Sequence, residues 1–387
     1  MNEQNNPVNV MHDLLDMGAR GARGTRDQLI QSICNAVQSA QSMLPTIMVT
    51  VHNYNSVLSS NPLPLPPQYS SIPDDICREM RTLRHETVIT IQFSKQHQQQ
   101  ATFFFYSHSP LSKPKLAKTI WACSTWIYIA RTMATDCECG HPLTTYVYLT
   151  SHEKRFPIRE PTREPSNRTD ILGPVHVNTA FTYACTKSKS SKSKSSKSKS
   201  SKSKSSKSDK PNATITIYRR EEWFKVFIHE TFHCFGLDYS GDDQATHTLD
   251  GLVRVRFPKE CAGIAHIRSY EGFTECWARI WNAAICAVIQ PSHPTKSLAS
   301  NFNDNLAREV TNTNIMRDRI GEYQRAHSNK EDSSVFSYFI LCAFLMNQLL
   351  QTPPQTPQTL KQNDNLFKSG KSGSTTIRMS VCECSLV

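Results

Sequence analysis

The chain has 387 residues, room for two ordinary domains or one elaborated domain, and its 38% hydrophobic content is somewhat low for a packed protein. A net charge of +11 invites a nucleic-acid reading until the charge is located. Ten of the 44 basic residues and one of the 33 acidic residues lie between Lys187 and Lys210, so the remainder holds 34 against 32, which is no basic face.

Residues 9–45 read as short helical patterns around a Gly18-Ala-Arg-Gly21-Ala-Arg-Gly24 hinge, and Asn61 to Pro73 is a proline-rich connector. Residues 1–85 are therefore expected to form a helical and proline-rich N-terminal region. Thr87 to Phe93 and Ala101 to Tyr106 have the β-branched and aromatic content of strands, separated by a glutamine-rich QHQQQ turn. Leu116 to Met133 suits a helix and Thr145 to Thr150 a strand. Gly173 to Tyr183, GPVHVNTAFTY, alternates in a strand-like way up to Asn178-Thr179-Ala180.

The SSKSK repeats of the 186–210 insert contain no apolar residue, so burial cannot offset the entropy of ordering them, and a disordered loop is expected. Such a loop costs little to close. Its lysines leave weak, salt-sensitive binding to nucleic acid as a remote alternative. Ala213 to Tyr218, ATITIY, then reads as a strand. Arg219-Arg220-Glu221-Glu222 follows, and its acidic residues suit the first turn of a helix.

From Trp223 to Phe235 the chain is apolar nearly all round, which belongs in a core, and Gly236 is placed to stop the helix. Within it, His229-Glu230-Thr231-Phe232-His233 reads H-E-x-x-H. Histidines four apart stand one turn above each other and can enter one coordination sphere, for which zinc is well suited. Glu230 is then placed to take a proton from an activated water. Three polar groups in so apolar a helix would be costly without a partner, and a metal with its water would satisfy them.

This segment resembles the active-site helix of a zincin metallopeptidase. HETFHCFGLDYS is similar to the metzincin pattern HExxHxxGxxH as far as Gly236, but Tyr239 stands where that group has its third histidine, and Met316 sits in a polar TNIMRD context unlike a methionine turn. The gluzincin pattern is closer. Tyr270-Glu271-Gly272-Phe273-Thr274-Glu275-Cys276-Trp277-Ala278 is similar to the N-E-G-F-A string of zinc aminopeptidases and opens a second apolar helix. The resemblance implies Glu271 as third ligand and Glu275, four residues on, as the carboxylate that orients a zinc histidine; spacing alone leaves the two interchangeable. It also implies that Asn178, Thr179 and Ala180 belong to an edge strand to which peptide substrates add by main-chain hydrogen bonds. Tyr239, His266 and Tyr270 are the candidates for an assisting donor. There is a looser similarity to uncharacterised zincin-like proteins of large DNA viruses.

The C-terminal half reads as mostly helical. Val335 to Met346 is a buried helix rather than a membrane span, and Gln351 to Thr359 cannot continue it. Residues 351–387 are expected to be a flexible tail. Thirteen cysteines without a repeating framework suggest reduced thiols; Cys137-x-Cys139-x-His141 and Cys382-x-Cys384 lack the paired spacing of a structural zinc site. The start MNEQNNPVNV has no signal-peptide character, so a cytoplasmic protein is expected, or a virion protein if the chain is viral.

The expectation is an α+β, zincin-like catalytic domain over residues 86–350. It would have a small mixed sheet whose edge strand flanks a central HExxH helix. Its implied cofactor is zinc, its partner a peptide or protein substrate, and its reaction peptide-bond hydrolysis. The alternative keeps the zinc and the fold without turnover, as an interaction module.

Overall fold

The middle strands of the sheet alternate buried and half-buried side chains. The computed structural model describes residues 23–55, 72–93, 100–134, 142–157, 172–182, 213–326, 334–350, 376–377, 380–382 and 386. Six strands lie in the order β1-β2-β3-β4-β6-β5: β1 is Met48–Asn55, β2 His85–Gln92, β3 Gln100–Ser107, β4 Leu143–Tyr148, β5 Ala180–Thr182 and β6 Ala213–Ile217. β1, β2 and β3 are antiparallel neighbours, β3, β4 and β6 are parallel, and β5 closes the sheet antiparallel to β6. This is a mixed sheet of an α+β protein.

One face carries Ile89, Ile91, Ala101, Phe103, Phe105, Val147, Ile215 and Ile217, all buried. Against it lies the HExxH helix, α5 (Trp223–Cys234): Phe227 meets Phe103 edge-on at 5.1 Å and Trp223 meets Phe105 at 5.2 Å. The apolar excess read in that segment is thus explained by burial on both sides. The opposite face stacks Tyr106 on Tyr148 and is covered by Ile76, Cys77 and Met80 of a short helix, α2 (Asp74–Met80).

Helices α1 (Arg23–Met43) and α3 (Lys113–Met133) join the same core, as do α7 (Ser269–Ile289), α8 (Leu298–Ala326) and α9 (Cys342–Leu350). The other α-helices among the described residues are a one-turn helix, α4 (Pro174–Val177), and a surface helix, α6 (Asp243–Arg256). A π-helical turn, Phe336–Leu341, leads into α9. None of the described helices is long and apolar enough to cross a membrane.

Four expectations change. β1 comes from the region expected to be helical and proline-rich, and it pairs with β2 along its whole length. The alternation in Gly173 to Tyr183 is not one strand: Pro174, whose fixed φ suits a first helical turn, starts α4, and extended pairing begins only at Ala180. Glu221 and Glu222 precede α5 instead of forming its first turn. The described part of the tail, Thr376, Ile377, Ser380 to Cys382 and Leu386, is packed into the protein and not free.

The 186–210 insert and the Cys137/Cys139/His141 string lie outside the described residues. Eight described cysteines are free and buried.

Candidate metal centre

Helix α5 ends where the sequence pattern says it should. Gly236 takes φ 64°, the N–H of Leu237 donates to the Phe232 carbonyl at 2.8 Å, and that of Gly236 donates to His233 at 3.2 Å. These are the two bonds of a Schellman turn. The turn sends the chain back beside the helix and brings Asp238 to the ring of His233.

Helix α7 crosses α5 and delivers Glu271 from its first turn. His229 Nε2 stands 3.1 Å from Glu271 Oε2 and 3.1 Å from His233 Nε2, while His233 Nε2 stands 3.4 Å from Glu271 Oε2. One atom from each of the three residues therefore converges, and they form a group able to hold a metal ion. The fit can be tested on distances alone. Ligand bonds of about 2.0–2.1 Å in a tetrahedral site leave neighbouring ligand atoms roughly 3.3 Å apart. The three separations fit that value, and two imidazoles with one carboxylate also suit other divalent transition metals.

The far nitrogens are held too. His229 Nδ1 lies 3.2 Å from Glu275 Oε2, and His233 Nδ1 bonds to Asp238 Oδ2. A carboxylate only accepts, so each Nδ1 carries a proton and each Nε2 faces the shared centre. Glu275 is in turn bound by Lys225 Nζ at 2.9 Å to both oxygens and by Arg279 Nε at 2.9 Å. Asp238 takes Thr274 Oγ1 at 3.1 Å and both the N–H and the hydroxyl of Ser240, at 3.1 and 2.7 Å.

Burial works against charge here, and the neighbours reverse it. Desolvation would lower both histidines, yet Glu271 and Glu275 raise His229, and Asp238 with Glu271 raises His233 well above its ordinary value. Desolvation would raise Glu271, yet the two histidines hold it far below the usual carboxylate range. The centre is thus built to stabilise positive charge between carboxylates. Glu230 differs: it is buried, accepts no ring hydrogen bond among the described residues, and burial pushes its carboxyl up against the opposing pull of the two histidines.

The other expected residues fall in distinct places. Tyr239 is in the core, its hydroxyl 3.1 Å from Ser269 Oγ, and does not reach the centre. His266 is exposed on the loop before α7. Tyr270 is half-buried, its ring 5.9 Å from that of His233. Asn178 and Thr179 lead into β5 rather than lying in it; the Thr179 carbonyl accepts from Tyr218 N–H at 2.9 Å. Arg219 fixes this lead-in, donating to the carbonyls of Asn178, Val175 and Glu153 at 3.0, 2.6 and 2.9 Å.

Two residues at the centre carry no motif. Asp238 was hidden because the turn, not spacing, brings it in. Tyr338 comes from the π-helical turn, its ring 5.9 Å from that of His229, and burial with the nearby Glu271 and Glu230 carboxylates pushes its phenol well up. Gly272 permits this approach: a Cβ there would stand 2.9 Å from the Ser337 carbonyl oxygen and 2.9 Å from Leu341 Cδ2. No family model, curated protein or solved structure matches the chain.

Proposed function

We propose that the protein is a zinc-dependent metallopeptidase of gluzincin type. The observation that carries this reading is the convergence of His229 Nε2, His233 Nε2 and one Glu271 oxygen at 3.1–3.4 Å, with Glu230 next in chain on the same helix. His229, His233 and Glu271 would hold the ion, and Glu275 and Asp238 would orient the rings. Zinc so held supplies a Lewis acid and makes water a nucleophile near neutral pH.

Glu230 accepts a proton from the attacking water and returns it to the leaving amine. Its raised carboxyl suits a group that must both take and give a proton. Tyr338, kept protonated, is available as a donor to developing negative charge on the substrate oxygen.

Among the described residues, no strand pairs with the outer side of β5. Thr179 faces β6 with its carbonyl, so by antiparallel alternation the N–H and C=O of Ala180 turn outward. An extended peptide could add there as a further strand.

The test takes the wild type, Glu230→Gln and His233→Ala. The wild type should hold about one zinc per chain and cleave members of a peptide library. Glu230→Gln should keep zinc and lose cleavage, and His233→Ala should lose both. Zinc-loaded wild type that cleaves nothing would leave a binding module; full zinc in His233→Ala would remove the site itself.

A further inference from the structure

Two buried carboxylates grip the same short segment near the C-terminus. One oxygen of Glu309, on α8, accepts from the Ser380 hydroxyl at 2.5 Å, the Val381 N–H at 2.9 Å and the Cys382 N–H at 2.7 Å. Glu222 accepts from the Ser380 N–H at 2.8 Å. The Asn282 amide on α7 donates to the Cys382 carbonyl at 2.7 Å. On either side, Ile377 N–H donates to the Lys154 carbonyl at 2.8 Å and the Thr119 hydroxyl to that of Leu386 at 2.9 Å. Ile377, Ser380, Cys382 and Leu386 are all buried.

Both carboxylates lead to the metal centre. Glu222 immediately precedes α5 and adopts φ 56°, a left-handed conformation that a non-glycine residue keeps only when its surroundings impose it. Its side chain is fixed by Lys154 Nζ at 2.7 Å and approached by Lys225 Nζ at 4.0 Å. Glu309 places its second oxygen 3.7 Å from Arg279 Nη1. Lys225 and Arg279 are the two cations that hold Glu275, and Glu275 holds His229.

The network contains three cations, Lys154, Lys225 and Arg279, and three anions, Glu222, Glu275 and Glu309, every one buried. In such surroundings an anion that loses its donors must draw on the nearest cation. For Glu309 that is Arg279, whose shift takes support from Glu275; for Glu222 it is Lys154, with Lys225, the other cation on Glu275, next at 4.0 Å.

We propose that the strap Ser380 to Cys382 is a positioning element of the metal centre. By supplying the donors that Glu222 and Glu309 require, it leaves Lys225 and Arg279 committed to Glu275 and so fixes the His229 ring. The metal affinity of α5 and α7 then depends on residues far along the chain, at 380–382. This inference rests on the metal-site reading above.

The test uses the full-length chain with Ser380→Ala, Ser380→Thr and Glu309→Gln, and repeats Ser380→Ala in a Glu275→Gln background. Zinc affinity is measured by competition with a chromophoric chelator, and amide hydrogen exchange over 223–233 is followed in the metal-free protein. Glu309→Gln should weaken zinc about ten- to a hundredfold, as loss of ring support does. Ser380→Ala should weaken it about three- to tenfold, the worth of one hydrogen bond, and Ser380→Thr should restore it. In the Glu275→Gln background Ser380→Ala should cost nothing more, because the path runs through Glu275. Unchanged affinity in the single variants, or an undiminished loss in that background, overturns the inference while leaving the metal site standing. Should Glu309→Gln fail to fold, the Ser380 series decides. If the wild type binds no zinc, the proposed function falls, and the exchange data decide the strap: α5 must lose protection in Ser380→Ala, and equal protection overturns it.

Discussion

His229 and His233 stand one turn apart on one helix, yet they lean on different kinds of support. Behind His229 is a charged carboxylate, Glu275, bound by two buried cations, Lys225 and Arg279. Behind His233 is Asp238, whose other partners are neutral: the Thr274 hydroxyl and the N–H and hydroxyl of Ser240. The first support joins α5, α7 and α8 by long-range ion pairs. The second is mostly a local turn. Charged pairs in a low-dielectric core are costly to break because the remaining charge has no water, whereas hydroxyls can turn to other partners. The two sides of the centre should therefore fail differently.

The largest effect separates ligand from support. Glu271→Ala should abolish stoichiometric zinc binding, since only that carboxylate faces both Nε2 atoms. Glu275→Ala should keep a weakened site, roughly ten- to a hundredfold lower in affinity. It should also destabilise the metal-free fold by about 3–5 kcal/mol, because the buried Lys225 and Arg279 lose their closest carboxylate and keep only Glu222 at 4.0 Å and Glu309 at 3.7 Å. Metal titration with urea unfolding reads both quantities. Reversed affinities would exchange the roles of the two glutamates.

Asp238→Asn probes the neutral side. Affinity should again fall by about ten- to a hundredfold, since the amide no longer fixes the His233 tautomer as a carboxylate does. The stability loss should be only about 1–3 kcal/mol. A loss as large as that of Glu275→Ala would remove the distinction between the two supports.

Gly272→Ala acts on the wall of the centre. The added methyl would press on the Ser337 carbonyl and Leu341, so the π-helical turn must move. Overpacking of this kind costs about 1–3 kcal/mol. Because that turn carries Tyr338, catalysis should fall while zinc content is kept. Unchanged turnover would show that Tyr338 takes no part.

How much of this was legible follows from the same contrast. The H-E-x-x-H pair, the all-round apolar helix and the stop at Gly236 are local signals, and the structure places each within its own helix or turn. Strands β2, β3, β4 and β6 also declared themselves through β-branched and aromatic runs. β1 did not: MVTVHNYN mixes polar residues into an edge strand, where only one neighbour and partial burial are required. Tyr338, Glu309 and the Ser380 strap are joined to the centre by tertiary contacts alone and Asp238 by the geometry of the turn after α5, and no spacing rule reaches them. The choice between Glu271 and Glu275 was open for a related reason. Both leave one helix face, and only the crossing of α7 over α5 decides which meets the Nε2 atoms.

The smallest effect concerns two adjacent residues of the charged support whose titrations run in opposite directions. Burial would raise Glu222, but Lys154 and Lys225 beside it bring its carboxyl below the ordinary value. Its contribution to stability is present above the normal carboxylate range and is lost as pH falls below it. Glu221, next door, is raised to about 7, chiefly by burial, with Lys154 opposing and Glu222 reinforcing. A raised carboxyl acts the other way: its contribution is full below the unfolded value of 4.5 and is lost as pH rises through about 7. Glu221→Gln removes that second slope while keeping an acceptor for the Lys154 N–H, which now meets Glu221 Oε1. In metal-free protein the wild type should therefore lose more stability between pH 5 and pH 8 than Glu221→Gln does, by urea unfolding at the two values. Groups common to both proteins cancel in that difference. Equal losses would show that Glu221 titrates normally, and the charged support would then be sensitive only on its acid side.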